Sequence, residues 1–200
     1  RTRRPCLHWL RLGGSRSQMW RRQNKIFAMS QGCAMPTARA PWIAYAEHER
    51  TLGIHRGGGQ ESNQHIKEYA TSTTMGLTKD ASYAYCAAFA NWCLTNAGFA
   101  GTRSARALNF RNWGRGTKQN RPAYGALALI KFPAGGHHVT FVIGKASGNR
   151  IATLGGNQGS NHAVSQSAVP AAWVVAYRLP SGYPDRDEDY ALRRECKGYL

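Results

Sequence analysis

The hydrophobic period of the chain changes after about residue 115, and this change predicts the fold class. Upstream, apolar residues recur every three or four positions, which is typical of helices that bury one face. The pattern predicts four helices: from Pro41 to Leu52, from Ser62 or Asn63 to Ala70, from about Tyr83 to Ala97, and from Ser104 to Trp113. The Gly57-Gly58-Gly59 run predicts a loop after the first helix, and Gly98 and Gly114 are expected to end the last two.

Downstream, apolar and polar residues alternate in short runs separated by Pro and Gly, which indicates strands. The predicted strands cover residues 126–132, 138–144, 151–154 and 173–177. Helices followed by an antiparallel sheet predict an α+β fold, with the N-terminal helices packed on the C-terminal sheet. We expect one domain over residues 41–180, flanked by a basic N-terminal arm (1–40) and a C-terminal tail (181–200).

The net charge of +17 favours an anionic partner, but its distribution argues against a nucleic-acid-binding protein. Residues 1–40 hold nine of the 27 Lys and Arg residues and no acidic residue. This arm is either a basic tail for an anionic surface or translated sequence upstream of the true start, since Met29 and Met35 precede the first patterned segment. No recognition motif accompanies the charge, so we expect no specific nucleic-acid partner. No apolar run of membrane-spanning or signal-peptide type occurs, which predicts neither a transmembrane segment nor a Sec-type signal.

Cysteine spacing favours neither a disulfide framework nor a zinc site. The five cysteines are Cys6, Cys33, Cys86, Cys93 and Cys196; their number is odd and they include no CxxC pair. HExxH and finger-type Cys/His spacings are also missing from the sequence. The adjacent His137 and His138 with His162 form an alternative metal set, but neighbouring residues on a strand point to opposite faces. We therefore expect no metal and no other cofactor.

Three residue types that can form a catalytic triad occur in the order Cys, His, Asn. Cys86 opens the third predicted helix, where the macrodipole and free N–H groups favour the thiolate; the alternative is a buried structural cysteine, as expected for Cys93. His138 begins a strand and can face a helix start as a base; the alternative is a surface histidine at a turn. Asn157 can accept from the imidazole and fix its tautomer, unless it only makes a turn. This order is that of papain-type hydrolases.

A longer pattern resembles the NlpC/CHAP-related group of papain-like hydrolases. Bacterial and prophage members of that group carry a Trp-Cys-Ala-Ala-Phe-Val-Asn-Trp-Cys segment, and residues 85–93 here read Tyr-Cys-Ala-Ala-Phe-Ala-Asn-Trp-Cys. Further matching pieces are Asn63 with Ile66 and Tyr69, Ala97-Gly98, Gly101-Thr102, Ser104-Ala105-Arg106, Asn112-Trp113-Gly114, His138-Val139 and Leu154-Gly155-Gly156-Asn157-Gln158. The resemblance covers residues 41–180 and leaves both termini outside.

The resemblance implies a papain-like fold and a peptidoglycan amidase or endopeptidase that works through a thioester. It implies Cys86 as nucleophile, His138 as base and Asn157 as the orienting residue. The residues that it places at the substrate cleft are Tyr85, Asp80, His137 and Gln158. Tyr85 replaces the usual Trp, and Asp80-Ala81-Ser82 replaces an acidic-Pro segment, which bears on specificity. Related families use His, Asn, Asp or Gln as the third triad member.

The expected partners are peptidoglycan and anionic wall polymers. The polymers would be attracted by the basic residues around the fourth predicted helix, namely Arg103, Arg106, Arg111, Arg115, Lys118 and Arg121. We expect action in the periplasm or cell wall after export or lysis, as for an endolysin or an antibacterial effector. Two other classes stay open: a catalytically inactive wall-binding relative, and a basic nucleic-acid-binding protein whose affinity falls steeply with salt.

Overall fold

The computed structural model describes residues 39–76 and 81–193, in which three helices come first, the strands follow, and a short fourth helix comes last. The helices are α1 (Trp42–Thr51), α2 (Gly59–Tyr69), α3 (Cys86–Asn96) and α4 (Asp187–Tyr190), with short 3₁₀ turns at Ala70–Ser72, Ala107–Asn112, Lys118–Asn120 and Ala171–Trp173. The strands are β1 (Arg115–Gly116), β2 (Leu127–Lys131), β3 (His137–Lys145), β4 (Arg150–Gln158), β5 (Ala163–Pro170) and β6 (Val174–Leu179). The predicted α+β class is confirmed.

The described strands form one antiparallel sheet in the order β1-β6-β2-β3-β4-β5, and α3 packs on the inner strands β3 and β4. Residues 86–94 of α3 are buried on every side, because the helix lies between the sheet and helices α1 and α2. Gly156 permits the close approach of β4, since a Cβ there would come within 2.9 Å of Tyr85 and Phe89. The fold therefore holds the start of α3 against the ends of β3 and β4. Within these residues no helix has the length and apolar character to cross a membrane.

Several predicted boundaries differ from the observed ones. Helix α2 begins at Gly59, so Ser62 is a buried residue inside the helix and does not cap it. Gly58, the residue before α2, touches this buried serine so closely that a Cβ on Gly58 would lie 2.5 Å from the Ser62 hydroxyl. The fourth predicted helix is the 3₁₀ turn Ala107–Asn112. Strands β1 and β5 were not predicted, and β4 continues beyond Leu154 to Gln158.

The packed unit also extends beyond Pro180. Tyr183 is buried against Trp42, with ring centroids 4.9 Å apart, and its hydroxyl donates to the buried carboxylate of Asp189 at 3.0 Å. The same carboxylate pairs with Arg39 at 2.8 Å. Residues 181–193 thus pack on the domain, whereas the sequence placed them in a tail. Apart from Arg39 and Ala40, the predicted N-terminal arm lies outside the described residues.

A buried carboxylate joins α1 to α2. Glu49 is 1% exposed, and its Oε2 contacts the Tyr69 hydroxyl at 2.6 Å and His65 Nδ1 at 2.7 Å. The hydrogen bond to Glu49 raises the pKa of His65 above its usual value, although burial opposes this. Two donors compensate the desolvation of the carboxylate, which explains how Glu49 is tolerated in the core.

We expect the His65→Gln variant to lose stability in a pH-dependent manner. Because the folded-state pKa of His65 is raised, its stabilising effect is complete below the unfolded value near 6.5 and disappears as pH rises through the folded value. Urea unfolding should therefore show a difference from wild type of about 1 kcal/mol at pH 5.5 that shrinks by pH 8.5. His55→Gln is the control, because His55 Nδ1 hydrogen-bonds the Gly53 carbonyl oxygen and has no acidic partner among the described residues. A constant difference across this pH range contradicts the assignment.

Candidate active site

The thiol of Cys86 lies at the first residue of α3. The preceding Tyr85 is not helical (φ −89°, ψ 9°), so the helix begins at the cysteine and its free N–H groups surround the sulfur. The backbone N–H groups of Val139, Ala87 and Cys86 itself stabilise the thiolate. Burial outweighs them, because the residue is only 6% exposed, and the pKa of Cys86 is raised above its usual value. The helix start alone therefore does not produce the thiolate that the sequence predicts.

His138 is the second residue of β3 and lies opposite Ile130 of β2. The residue is 8% exposed, and this burial lowers the pKa of its imidazole to about 4, while a hydrogen bond with the Gln158 side chain opposes the shift. At neutral pH the ring is neutral and can accept a proton. Its Nε2 is buried and has no hydrogen-bond partner in the part of the chain that the structure describes. The next residue, Val139, presents its N–H to the Cys86 sulfur, so the base and the thiol belong to adjacent segments.

A bulge at the end of β4 determines which polar side chain meets His138. The β4–β5 register shifts between Gly155 and Gln158, and Asn157 has a left-handed backbone with φ of +61°. The Asn157 Oδ1 accepts a hydrogen bond from Arg56 at 2.9 Å. Gln158 donates its amide N–H to the Ser165 carbonyl and hydrogen-bonds His138. In this structure the partner of the imidazole is Gln158, and the predicted orienting residue Asn157 contacts Arg56 instead.

A cleft of about 550 Å³ opens over these residues. It brings together five of the seven predicted site residues, Cys86, His138, Asn157, His137 and Gln158. The prediction did not include the rest of the wall, which comprises Phe132, Arg150, His162, Ser167 and Trp173 among others. Phe132 packs edge-on against Trp173, with centroids 6.0 Å apart, and lies 6.2 Å from the ring of His138. The Phe132 ring thus flanks the imidazole, and no acidic side chain lines the cleft within the described residues.

Tyr85 does not line the cleft, contrary to the expected substrate contact. It is fully buried, its hydroxyl donates to the His162 carbonyl, and burial raises its pKa to about 12. Through this bond Tyr85 holds the loop that carries His162, which does line the cleft. Asp80, another predicted cleft residue, lies outside the described residues. His137 is exposed at the rim.

Metal ligation finds no support in this geometry. His137 and His162 both line the cleft with His138, but no group of three His, Cys, Asp or Glu side chains in residues 39–76 and 81–193 is arranged to hold a metal ion. The chemistry available to the cleft is that of a thiol, a neutral imidazole and an amide, supported by backbone N–H groups. An α+β domain with a Cys at a helix start and a His on the facing strand has the arrangement of a papain-like fold.

The comparison with protein families agrees with this class. The model of the CHAP domain matches residues 78–157, which confirms the resemblance to the NlpC/CHAP-related group. The match contains Cys86, His138 and Asn157 and ends one residue before Gln158. A CHAP domain indicates a hydrolase that acts on cell-wall peptidoglycan. No curated protein and no solved structure matches the chain.

Proposed function

We propose that the protein is a cysteine amidase or endopeptidase that cuts an amide bond of peptidoglycan. The observation that carries the proposal is the cleft in which the Cys86 thiol, at a helix start, faces the strand that bears a neutral His138. The imidazole Nε2 has no hydrogen-bond partner in the described residues, so it is free to receive the thiol proton. Action in the cell wall, after export or lysis, is part of the same proposal.

In the proposed reaction His138 takes the proton of Cys86 as the sulfur attacks the amide carbonyl. The Cys86 backbone N–H at the start of α3 helps hold the developing oxyanion. His138 then protonates the leaving amine, which departs and leaves a thioester on Cys86. Water, deprotonated by the same imidazole, attacks the thioester, releases the carboxylate product and returns the proton to the sulfur.

The test is digestion of purified peptidoglycan by the full chain, with the released fragments identified by mass spectrometry. Each cut should create one new amine and one new carboxyl terminus, and their position distinguishes an amidase from an endopeptidase. Fragments cut in the glycan backbone, at a glycosidic bond, would contradict amide hydrolysis.

A second candidate is a catalytically inactive relative that binds the wall. Two observations favour it: the pKa of Cys86 is raised, and no hydrogen bond joins its thiol to His138 in this structure. Catalytic hydrogen bonds in unliganded sites often tighten only when substrate binds, so we favour the enzyme. A folded protein that sediments with several types of peptidoglycan and releases no fragments supports the inactive relative.

We further propose that Gln158, and not Asn157, orients His138. Gln158→Ala should lower kcat about tenfold or more with little change in KM, because the imidazole loses the acceptor that fixes its tautomer. Asn157→Ala removes the contact with Arg56 and should leave kcat within about threefold of wild type. The two residues are adjacent and carry the same functional group, so each is the control for the other. The reverse order of effects supports the Asn157 assignment made from the sequence.

A further inference from the structure

Two adjoining cavities lie on a surface that shares no lining residue with the catalytic cleft. The larger, about 530 Å³, lies along the 3₁₀ turn Ala107–Asn112, and the smaller, about 250 Å³, lies against β6. Arg111 and Asn112 line both cavities. The two cavities are therefore one elongated site, which we call the Arg111 groove.

A buried hydroxyl in the Arg111 groove has no hydrogen-bond partner. Thr117 is 7% exposed and lines the smaller cavity, and its Oγ1 is unsatisfied within the described residues. A buried polar group without a partner costs free energy, so such groups are rare in folded proteins. An oxygen or hydroxyl of a ligand in the smaller cavity would satisfy Thr117.

The charge of the groove is positive and unpaired. The exposed Arg111 side chain has no acidic partner among the described residues, and the Arg178 guanidinium donates to the Arg111 carbonyl, which fixes it at the junction of the two cavities. By contrast, the neighbouring Arg115 and Lys118 are both paired with Asp185. The uncompensated positive charge of Arg111 at the groove favours an anionic ligand.

The remaining walls suit a sugar. Trp113 offers a partly exposed ring in the larger cavity, and its indole N–H donates to the Ala100 carbonyl at 3.1 Å. Amide side chains line the groove at Asn109 and Asn112 in the larger cavity and at Asn112 and Asn120 in the smaller one. Amides and hydroxyls that converge beside an aromatic ring can hydrogen-bond a ligand rich in hydroxyl groups. Single-stranded nucleic acid is held by aromatic side chains on which successive bases stack. Of the two aromatic residues that line this groove, Trp113 is partly exposed and Tyr177 is buried, so a single ring is available for stacking.

We propose that the Arg111 groove binds an acidic polysaccharide, one whose sugars carry carboxylate or phosphate groups, without cutting it. The groove runs onto β6, which follows Trp173 of the cleft directly; five residues of strand place Arg178 within about 17 Å of Trp173. A polymer held in the groove would therefore keep the wall within reach of Cys86. The inference rests on the proposed function only in taking the cell wall as the source of the polymer.

The test is sedimentation of the full-length Cys86→Ala protein with insoluble peptidoglycan, so that binding is measured without cleavage. Arg111→Glu should weaken binding about tenfold, because one charge-assisted hydrogen bond is lost and a repulsive charge is added. Thr117→Val should weaken it severalfold while the Tm stays the same or rises, since the variant removes an unsatisfied buried hydroxyl. Lys145→Glu makes the same change in net charge at an exposed site outside both cavities and should bind within twofold of its parent.

Two further binding experiments identify the chemical class of the ligand. If phosphate is the recognised group, Arg111-dependent binding should disappear when peptidoglycan is stripped of its phosphate-bearing polymers. If carboxylate is the recognised group, this binding should remain. Both results support an acidic polysaccharide. A single-stranded oligonucleotide that binds more tightly than either, with the same Arg111 dependence, overturns the proposal in favour of nucleic acid. Equal losses for Arg111→Glu and Lys145→Glu also overturn it, because net charge alone would then explain binding. None of these outcomes depends on whether wild type cleaves peptidoglycan.

Discussion

Cys86→Ala should reduce the release of peptidoglycan fragments by roughly 10³-fold or more, because it removes the sulfur that forms the acyl-enzyme in the proposed mechanism. The change removes one sulfur atom at the first residue of α3, where the side chain faces the cleft, so the fold should be retained. Mass spectrometry of the digest measures the effect directly, since the new amine and carboxyl termini should disappear together. Circular dichroism and the Tm establish that the variant is folded.

Cys93→Ala is the matched control for the nucleophile. Cys93 lies two turns deeper in the same helix, is fully buried and lines none of the cleft. Its replacement leaves a small void, which should cost about 1 kcal/mol of stability and leave kcat unchanged. If Cys86→Ala keeps full lytic activity while folded, the nucleophile is not Cys86 and the proposed mechanism is wrong.

The order of the elements was predictable from local pattern, whereas the edges of the sheet were not. Helix α1 buries Trp42, Ile43, Ala46 and Glu49 at helical spacing, and strand β3 is a continuous buried run between exposed ends, so both elements are visible in the sequence. Strand β5 reads Ala-Val-Ser-Gln-Ser-Ala-Val-Pro and has mostly half-buried side chains, because it is an edge strand. Its polar residues face the cleft or neighbouring segments: Gln166 donates to Glu47 at 3.1 Å. Because these partners come from distant parts of the chain, the sequence of β5 shows no alternation that would predict a strand.

Some residues of the site were also predictable from the local sequence pattern, whereas others depend on the tertiary fold. Cys86 at a helix start follows from the run of small and apolar residues after it, whereas the choice of His138 over His137 rests on the resemblance to the family's His-Val pair. The choice between Asn157 and Gln158 depends on a bulge, and a one-residue shift in a strand exchanges the faces of its side chains. The raised pKa of Cys86 was not predicted, because the helix start is a local feature and burial is a property of the assembled domain. Trp173 and Arg150 reach the cleft through pairing of β4, β5 and β6, which the sequence does not reveal.

His138→Ala should lower kcat/KM by about 10²- to 10⁴-fold, since the thiol then has no base to take its proton. Burial lowers the pKa of His138 to about 4, so the imidazole is neutral and active as a base at any pH above that value. Wild-type kcat/KM should therefore persist at pH 5.5, where an unshifted histidine with a pKa near 6.5 is mostly protonated, and should fall as pH approaches 4. Peptidoglycan digestion across pH 3.5–8 measures this acid limb.

His137→Ala separates the base from its neighbour. His137 is the same residue type one position earlier on β3 and is exposed at the rim of the cleft, whereas His138 is buried. We expect it to keep kcat within about threefold of wild type and to retain the acid limb near pH 4, because the buried imidazole is untouched. A large loss in His137→Ala with activity preserved in His138→Ala would exchange the two roles. Desolvation is the cause that lowers the pKa of His138. An acid limb near pH 6.5 in wild type would therefore mean that substrate binding or the movement of a side chain exposes His138 to water before proton transfer.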